Sequence, residues 1–508
     1  MCGLTRTDLT TSQKMDLARG ALGAQGVYGA IAHLSTEFGV SRPTVYRARD
    51  EADAALIGCF APTDKQPAAV VVTADEAQIR RAVVALRAIA PNSIRAIEAL
   101  LPLLYPGVVW SYGSIQIVAT EAEHKAAALN AQADLSAIVA GAVDEMFSQG
   151  SPVLGGVDLD SGTLFALSLR ESRSAETWAD VLGAGQKQGL NLRCVVKDAA
   201  AGIAAGVQTV FPEAEQRDDC FHALYEMGKV RQLLERSALG AMNAEWDAAE
   251  RLHKAQGKVV PPSEETLRSL RAQLSAARRK CESKMALHDE FERESKRARE
   301  AMELVDLESG TLRDPARMQA EIEAAASRLR ALDHPRCATV GRYVFNRAPG
   351  LVLYAAELKD VLGSLDERFG KDPVVMACVA WRLIHDLREG RRPWQRHRDQ
   401  QHLLGTFAWL QRHVGTDADA LLTAVDEAFR RRHRASSAIE GFNAALRPFL
   451  YVHKGVTQGF LDLFRAHYNL RLRRWGRHKG TSPQEVLTGT PVADWLSELG
   501  FPPASTHN

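Results

Sequence analysis

What the chain lacks narrows the field first. No run of about eighteen apolar residues occurs, so a membrane-spanning helix is not expected. The opening stretch MCGLTRTDLTTSQKMDL has no basic segment followed by an apolar one, so a secretory leader is not expected either. Seven cysteines are scattered over 508 residues. An odd, dispersed set suits a reducing cytoplasm better than a disulfide framework. There is no internal repeat and no low-complexity tract. The net charge of +1 gives no overall attraction to a polyanion.

What is present is 46% hydrophobic and 25% charged, the balance of a soluble globular protein. The length is too great for one ordinary core and calls for two to four domains. The charge is unevenly placed. Residues 430–479 hold twelve Lys and Arg against two acids, Glu440 and Asp462. Such a segment is an electrostatic footprint for a polyanion, with a solvated helical surface as the plain alternative.

Residues 1–58 read as helices. In YGAIAHLSTEFGVSRPTVYRARDEADAAL an apolar-periodic helix meets a turn at Gly39, and Ser41 then caps an Arg-rich helix. That is the helix-turn-helix pattern, and it places Ser41, Arg42, Thr44, Tyr46 and Arg47 where bases and phosphates are reached. A helical hairpin that touches no DNA would read the same way. Residues 59–78 read as a linker, and 79–135 as a second helical unit in which SYGSIQIVATEA could be another recognition helix.

From residue 136 the periodicity changes. SAIVAGAVDEMF, PVLGGVDL and TLFALSL are short apolar runs separated by SQGS and DSG, the pattern of three antiparallel strands. A helix over SAETWADVLGAGQKQG, a buried strand ending at Asp198 and a further helix complete the order βββαβα. This order matches an RNase H-like α/β core built on a mixed five-stranded sheet, with other mixed α/β folds as alternatives. Residues 226–430 read as a large all-α insertion, including a helical hairpin around SEETLRSLRAQLSAARRKCESKM. Residues 431–508 carry Ser436-Ser437 as the cap of a final helix bearing Glu440 and Asn443, then a basic tail. Pro448 is expected to end or kink that helix near Leu446.

In an RNase H-like sheet the first and fourth strands lie side by side. Asp144 on the first and Asp198 at the end of the fourth would then meet, and Glu440 on a helix packed against the sheet would complete the cluster. Three acids repel one another unless cations join them. Two Mg²⁺ (or Mn²⁺) ions suit such hard oxygen ligands and can drive phosphodiester chemistry. Asp158, which precedes a Ser-Gly turn, is a turn acid, or the strand-one acid if that strand starts at Val153. Glu145 alternates to the opposite face, solvated or salt-bridged. Trp178 is expected in the core. Trp394, set among arginines in REGRRPWQRHRD, could stack on an unpaired base or be an ordinary loop residue.

These residues together resemble the catalytic core of DDE transposases of the Mutator-like type and of related bacterial insertion sequences. The matching positions are Asp144, Trp178, Asp198, Phe211-Pro212, Ala214, Gln216, Cys220 and His222, followed by Glu440 and Asn443 in SSAIEGFNAALRP. The helical stretch between the two parts resembles the insertion that some of these enzymes carry. The family often has Cys-x-x-His where this chain has Cys220-x-His222, which makes a metal-ligand role for Cys220 doubtful. The resemblance implies a bacterial, nucleoid-associated cytoplasmic enzyme. It would bind terminal inverted repeats through residues 14–130, then cut and join double-stranded DNA with catalytic residues Asp144, Asp198 and Glu440. His222 and Asn443 would support the site. From their charge alone, Arg447, Lys454, Arg471, Arg473, Arg474 and Arg477 in the basic tail could contact the DNA backbone. Cutting two ends implies a homodimer or larger assembly on DNA. Two competing readings are an inactive relative acting as a DNA-binding regulator, and a nuclease of the same fold that does not transpose.

Overall fold

The computed structural model describes residues 9–24, 27–60, 75–198, 200–260, 262–388, 393–452, 455–476 and 478–503. It divides into two compact units, 1–73 and 74–508.

The first unit is three helices, α1 (Thr11–Gly23), α2 (Ala30–Glu37) and α3 (Arg42–Phe60). A capping box between Thr10 and Gln13 starts α1. Leu17, Ala21, Val40 and Val45 form its small core. The turn before α3 needs a left-handed residue, which Gly39 supplies at φ +62°. The Ser41 hydroxyl accepts from the Thr44 N–H, as an N-cap should.

In the second unit, α4 (Glu76–Ile89), α5 (Ile94–Leu104) and α6 (Tyr112–Ala131) precede a sheet. The sheet strands are β1 (Ala140–Ser148), β2 (Ser151–Asp158), β3 (Leu164–Leu169), β4 (Cys194–Lys197) and β5 (Glu215–Asp218). Between them lie α7 (Ala175–Lys187) and α8 (Ala201–Val210). The strand order is β3-β2-β1-β4-β5. The first three strands are antiparallel, and β4 runs parallel to both β1 and β5. This is the mixed five-stranded sheet that the alternating apolar runs implied.

Both faces of the sheet are covered. Val143, Leu154, Phe165 and Val195 pack with Trp178, Leu182, Ile203 and Val207 of α7 and α8. On the other face Ala142, Val153, Val157 and Val196 meet Ile439, Phe442 and Leu446 of α16 (Ser437–Val452), and Phe460 and Phe464 of α17 (Gln458–Leu470). Trp178 is fully buried, the core role expected of it. The sheet admits these rings closely because β2 carries adjacent glycines. A Cβ on Gly156 would stand 2.2 Å from the Phe165 ring, and one on Gly155 3.0 Å from the Phe442 ring.

The helical insertion comprises α9 (Cys220–Gln256), α10 (Glu264–Ala301), α11 (Pro315–Ala331), α12 (Pro335–Phe369), α13 (Lys371–Arg388), α14 (Pro393–Val414) and α15 (Ala418–Arg430). A two-residue ribbon of β6 (Val305–Asp306) and β7 (Thr311–Leu312) interrupts it, which the periodicity did not reveal. Residues 264–301 contain no glycine or proline to break them. They therefore form one 38-residue helix. The hairpin expected within this stretch is instead made by α10 packing on α9.

Helix α16 also differs from expectation. It continues through Pro448 to Val452. Proline deprives the residue four earlier, Ala444, of its partner, but Ala444 and Pro448 are both exposed, so water can satisfy the freed carbonyl. The chain ends with α18 (Pro483–Thr488) and α19 (Trp495–Glu498). Ile115, Val118 and Ala122 of α6 share a core with Leu463, Ala466, Leu496 and Phe501. The buried face of that proposed second recognition helix is thus committed to the C-terminal segment.

Candidate active site

Pairing of β1 with β4 ends at Val143 opposite Lys197. The next residue on each strand is an acid, Asp144 on β1 and Asp198 just past β4. Neighbouring strands are about 5 Å apart, so the two carboxylates emerge at the same level of the sheet. Strand alternation sends Asp144 toward α16, where it accepts a hydrogen bond of 2.6 Å from the Asn443 amide. Its other oxygen accepts the Glu145 N–H at 2.8 Å. Asp198 accepts the Ala200 N–H at 2.8 Å.

Glu145 turns to the other face, as expected. There it accepts from the Trp178 indole at 3.0 Å and pairs with Arg173 at 2.8 Å. Asp158 lies opposite Gly141, at the open end of the hairpin, three residues along β1 from Asp144. Ser161 donates to it from both its N–H and its hydroxyl, which is turn chemistry. Strand one begins at Ala140, not Val153, so the alternative assignment of Asp158 has no geometric support.

Glu440 and Asn443 occupy one face of α16. Glu440 Oε1 stands 3.8 Å from His222 Nε2. His222 Nδ1 is 2.7 Å from Asp219 Oδ2. Asp219 also accepts from the Phe221 N–H at 2.8 Å, the Ser436 N–H at 3.2 Å and the Ser436 hydroxyl. Asp219 therefore ties the start of α9 to the start of α16 and aims His222 at Glu440. The sequence reading singled out His222 and the cap at Ser436, but it missed Asp219 as the hub between them. The available signal was an acid three residues before a histidine at a helix start.

The electrostatics follow from this geometry. Burial pushes Asp144 up to about 6, Asp198 adds like-charge repulsion, and the two hydrogen bonds and His222 only partly compensate. His222 is raised to about 9, chiefly by its bond to Asp219. Asp219 stays below the usual carboxylate range because His222, Ser436 and two backbone donors outweigh its burial.

The donor set is hard oxygen, which suits Mg²⁺ or Mn²⁺. Asp144 is a half-buried acid whose direct hydrogen-bond partners are neutral, which also fits a site for cations. Among the described residues no three His, Cys, Asp or Glu side chains stand close enough to hold a metal. Glu440 faces His222 in this arrangement and does not close on the two aspartates. Cys220 is no candidate ligand. It is buried, its thiol donates to the Leu351 carbonyl, and burial pushes it up to about 12.

The expected DNA contacts divide. Arg42, Tyr46 and Arg47 are exposed on α3, whereas Ser41 and Thr44 are half-buried and hydrogen-bonded to each other. Arg447 and Arg474 are exposed. Arg473 donates to the carbonyls of Ser161, Thr481 and Ser482, so it holds the β2–β3 turn to the tail. Arg471 lies over the Tyr468 ring at 4.7 Å. Lys454, Arg477 and the Trp394 side chain lie outside the described residues.

No protein-family model matches this chain, and no curated protein matches it. Among solved structures, a Drosophila P element transposase strand transfer complex matches at 12% identity and a TM-score of 0.30. It covers 75% of this chain and 98% of that one. A likeness of that degree carries no argument about function. Among the described residues no helix is long and apolar enough to cross a membrane.

Proposed function

We propose that this chain is a DDE-type transposase of an insertion sequence with an RNase H-like core. It would bind the ends of its element, cleave there and join the freed 3′-hydroxyl to target DNA. The observation that carries this reading is the placement of the acids. Asp144 and Asp198 emerge level on adjacent parallel strands, and α16 brings Glu440 and Asn443 to the same face of the sheet. In this reading Asp144, Asp198 and Glu440 hold two Mg²⁺ or Mn²⁺ ions. Bound there, the ions would activate a water or 3′-hydroxyl and stabilise the leaving oxygen.

The protein's own groups have separate roles. Asn443 orients Asp144 by donating to one carboxylate oxygen, while the Glu145 N–H holds the other. His222, charged at neutral pH and aimed by Asp219, stands beside Glu440 where it can hold a phosphate oxygen. Arg42, Tyr46 and Arg47 on α3 contact the end sequence as a helix-turn-helix would, and Arg447 and Arg474 contact the backbone.

The test is a plasmid carrying the DNA that flanks the coding region. With Mg²⁺ the protein should excise the element and give joined products. Asp144→Asn should bind the ends and yield neither. Joined products from a well-folded Asp144→Asn protein would refute the assignment. Cleavage without joining would indicate a plain nuclease, and binding without either a regulator.

A further inference from the structure

We propose that Phe221 and Tyr225 form a stacking platform for an unpaired nucleobase at the edge of the candidate active site. The proposal rests on the reading of that site as one that processes DNA. The two residues lie four apart in the first turns of α9, so they share a face. Both are large aromatics left in water, 43% and 53% exposed. Their rings already lie nearly parallel, 13° apart with centroids at 6.1 Å.

Position supplies the second argument. The Phe221 ring meets the His222 imidazole edge-on at 6.0 Å. That imidazole is 3.8 Å from Glu440, so the platform is continuous with the acids. One turn further on, Lys229 Nζ stands 4.6 Å over the Tyr225 ring. It pairs there with Glu226 at the surface, a bond that exchanges readily for a phosphate. Aromatic faces beside a surface cation are what single-stranded nucleic acid uses, with bases on the rings and phosphates on the cation. Two rings are far too small for a stable protein interface, which needs roughly 1,000 Å².

The occupant is therefore one base of a strand whose neighbouring phosphate lies at the acids. A fully paired duplex offers no such base. An end that is frayed or overhanging does.

The experiment uses the full chain without divalent metal and two short duplexes, one blunt and one with an unpaired overhang carrying 2-aminopurine at its first position. The wild type should quench the 2-aminopurine and bind the overhang about tenfold tighter than the blunt end. Phe221→Ala and Tyr225→Ala should lose both effects, and Tyr225→Trp should restore them. Unchanged quenching and preference in both alanine variants would overturn the platform. So would a change of oligomeric state by light scattering with no change in DNA binding. Equal affinity of the wild type for blunt and overhanging DNA would remove the platform and leave the proposed function standing. A protein that binds neither duplex would overturn both.

Discussion

Asp144 and Glu303 are both carboxylates drawn out of water, and the fold treats them in opposite ways. Burial raises both. At Asp144 the relief comes from an amide, one backbone N–H and a more distant imidazole, with Asp198 opposing, and the group ends at about 6. At Glu303 three guanidiniums converge: Arg434 at 2.7 Å, Arg382 at 2.9 Å and Arg432 at 3.9 Å. They outweigh the burial and hold it down to about 2. The second arrangement is a closed structural clamp. It joins the insertion to the segment that leads into α16, which the Cys220 N–H also grips at the Arg434 carbonyl. The first is an acid whose direct partners are neutral, which is the condition the proposed cation site requires. Two half-buried carboxylates thus end on opposite sides of the usual range, according to the charges that face them.

The comparison is broken most sharply by removing each charge. Asp144→Asn should lower DNA cleavage by roughly a thousandfold or more, as loss of a group that stabilises developing charge does. It should also raise metal-free stability by about 1–3 kcal/mol, because a disfavoured buried charge is gone. Urea unfolding beside a cleavage assay checks both, and an equal loss of stability would make Asp144 merely structural. Glu303→Gln should cost about 3–5 kcal/mol, since it leaves Arg432 and Arg434 without their carboxylate, while Arg382 keeps Asp386 and Glu300. Calorimetric melting of the full chain reads this loss, and a neutral result would dissolve the clamp.

The pH dependences should run in opposite senses. Asp144 is raised in the folded state. Its contribution to metal-free stability is therefore complete below its unfolded value near 4 and is lost as pH rises through about 6. Glu303 is depressed, so its contribution is present above its unfolded value near 4.5 and is lost as pH falls toward about 2. Unfolding curves in EDTA for wild type and the two variants separate these contributions. The smallest effect is expected at Ser436→Ala. It removes one donor from Asp219, costs about 1 kcal/mol and should perturb the His222 titration seen by NMR.

Much of this was legible in the chain because the signals were local. Alternation within AGAVDEMF separates Asp144 from Glu145, and the Ser-Gly turn explains Asp158. What escaped depends on distance. Asp219 looks like a simple helix cap until Ser436, 217 positions away, is seen to donate to it. Glu303 is one acid in a charged helical tract, and none of its arginines is nearby in sequence. Pro448 is a helix terminator by propensity, but here its lost bond falls on the solvent side. SYGSIQIVATEA, the candidate second recognition helix, has apolar residues that are claimed by α17 and the tail.

In the proposed function Asp144, Asp198 and Glu440 together bind divalent cations. Electron paramagnetic resonance of Mn²⁺ with the full chain on duplex DNA tests it directly. The account predicts two bound ions per chain in the wild type, and loss of the pair in each of Asp144→Asn, Asp198→Asn and Glu440→Gln. Equal Mn²⁺ binding by the wild type and all three folded variants would contradict it.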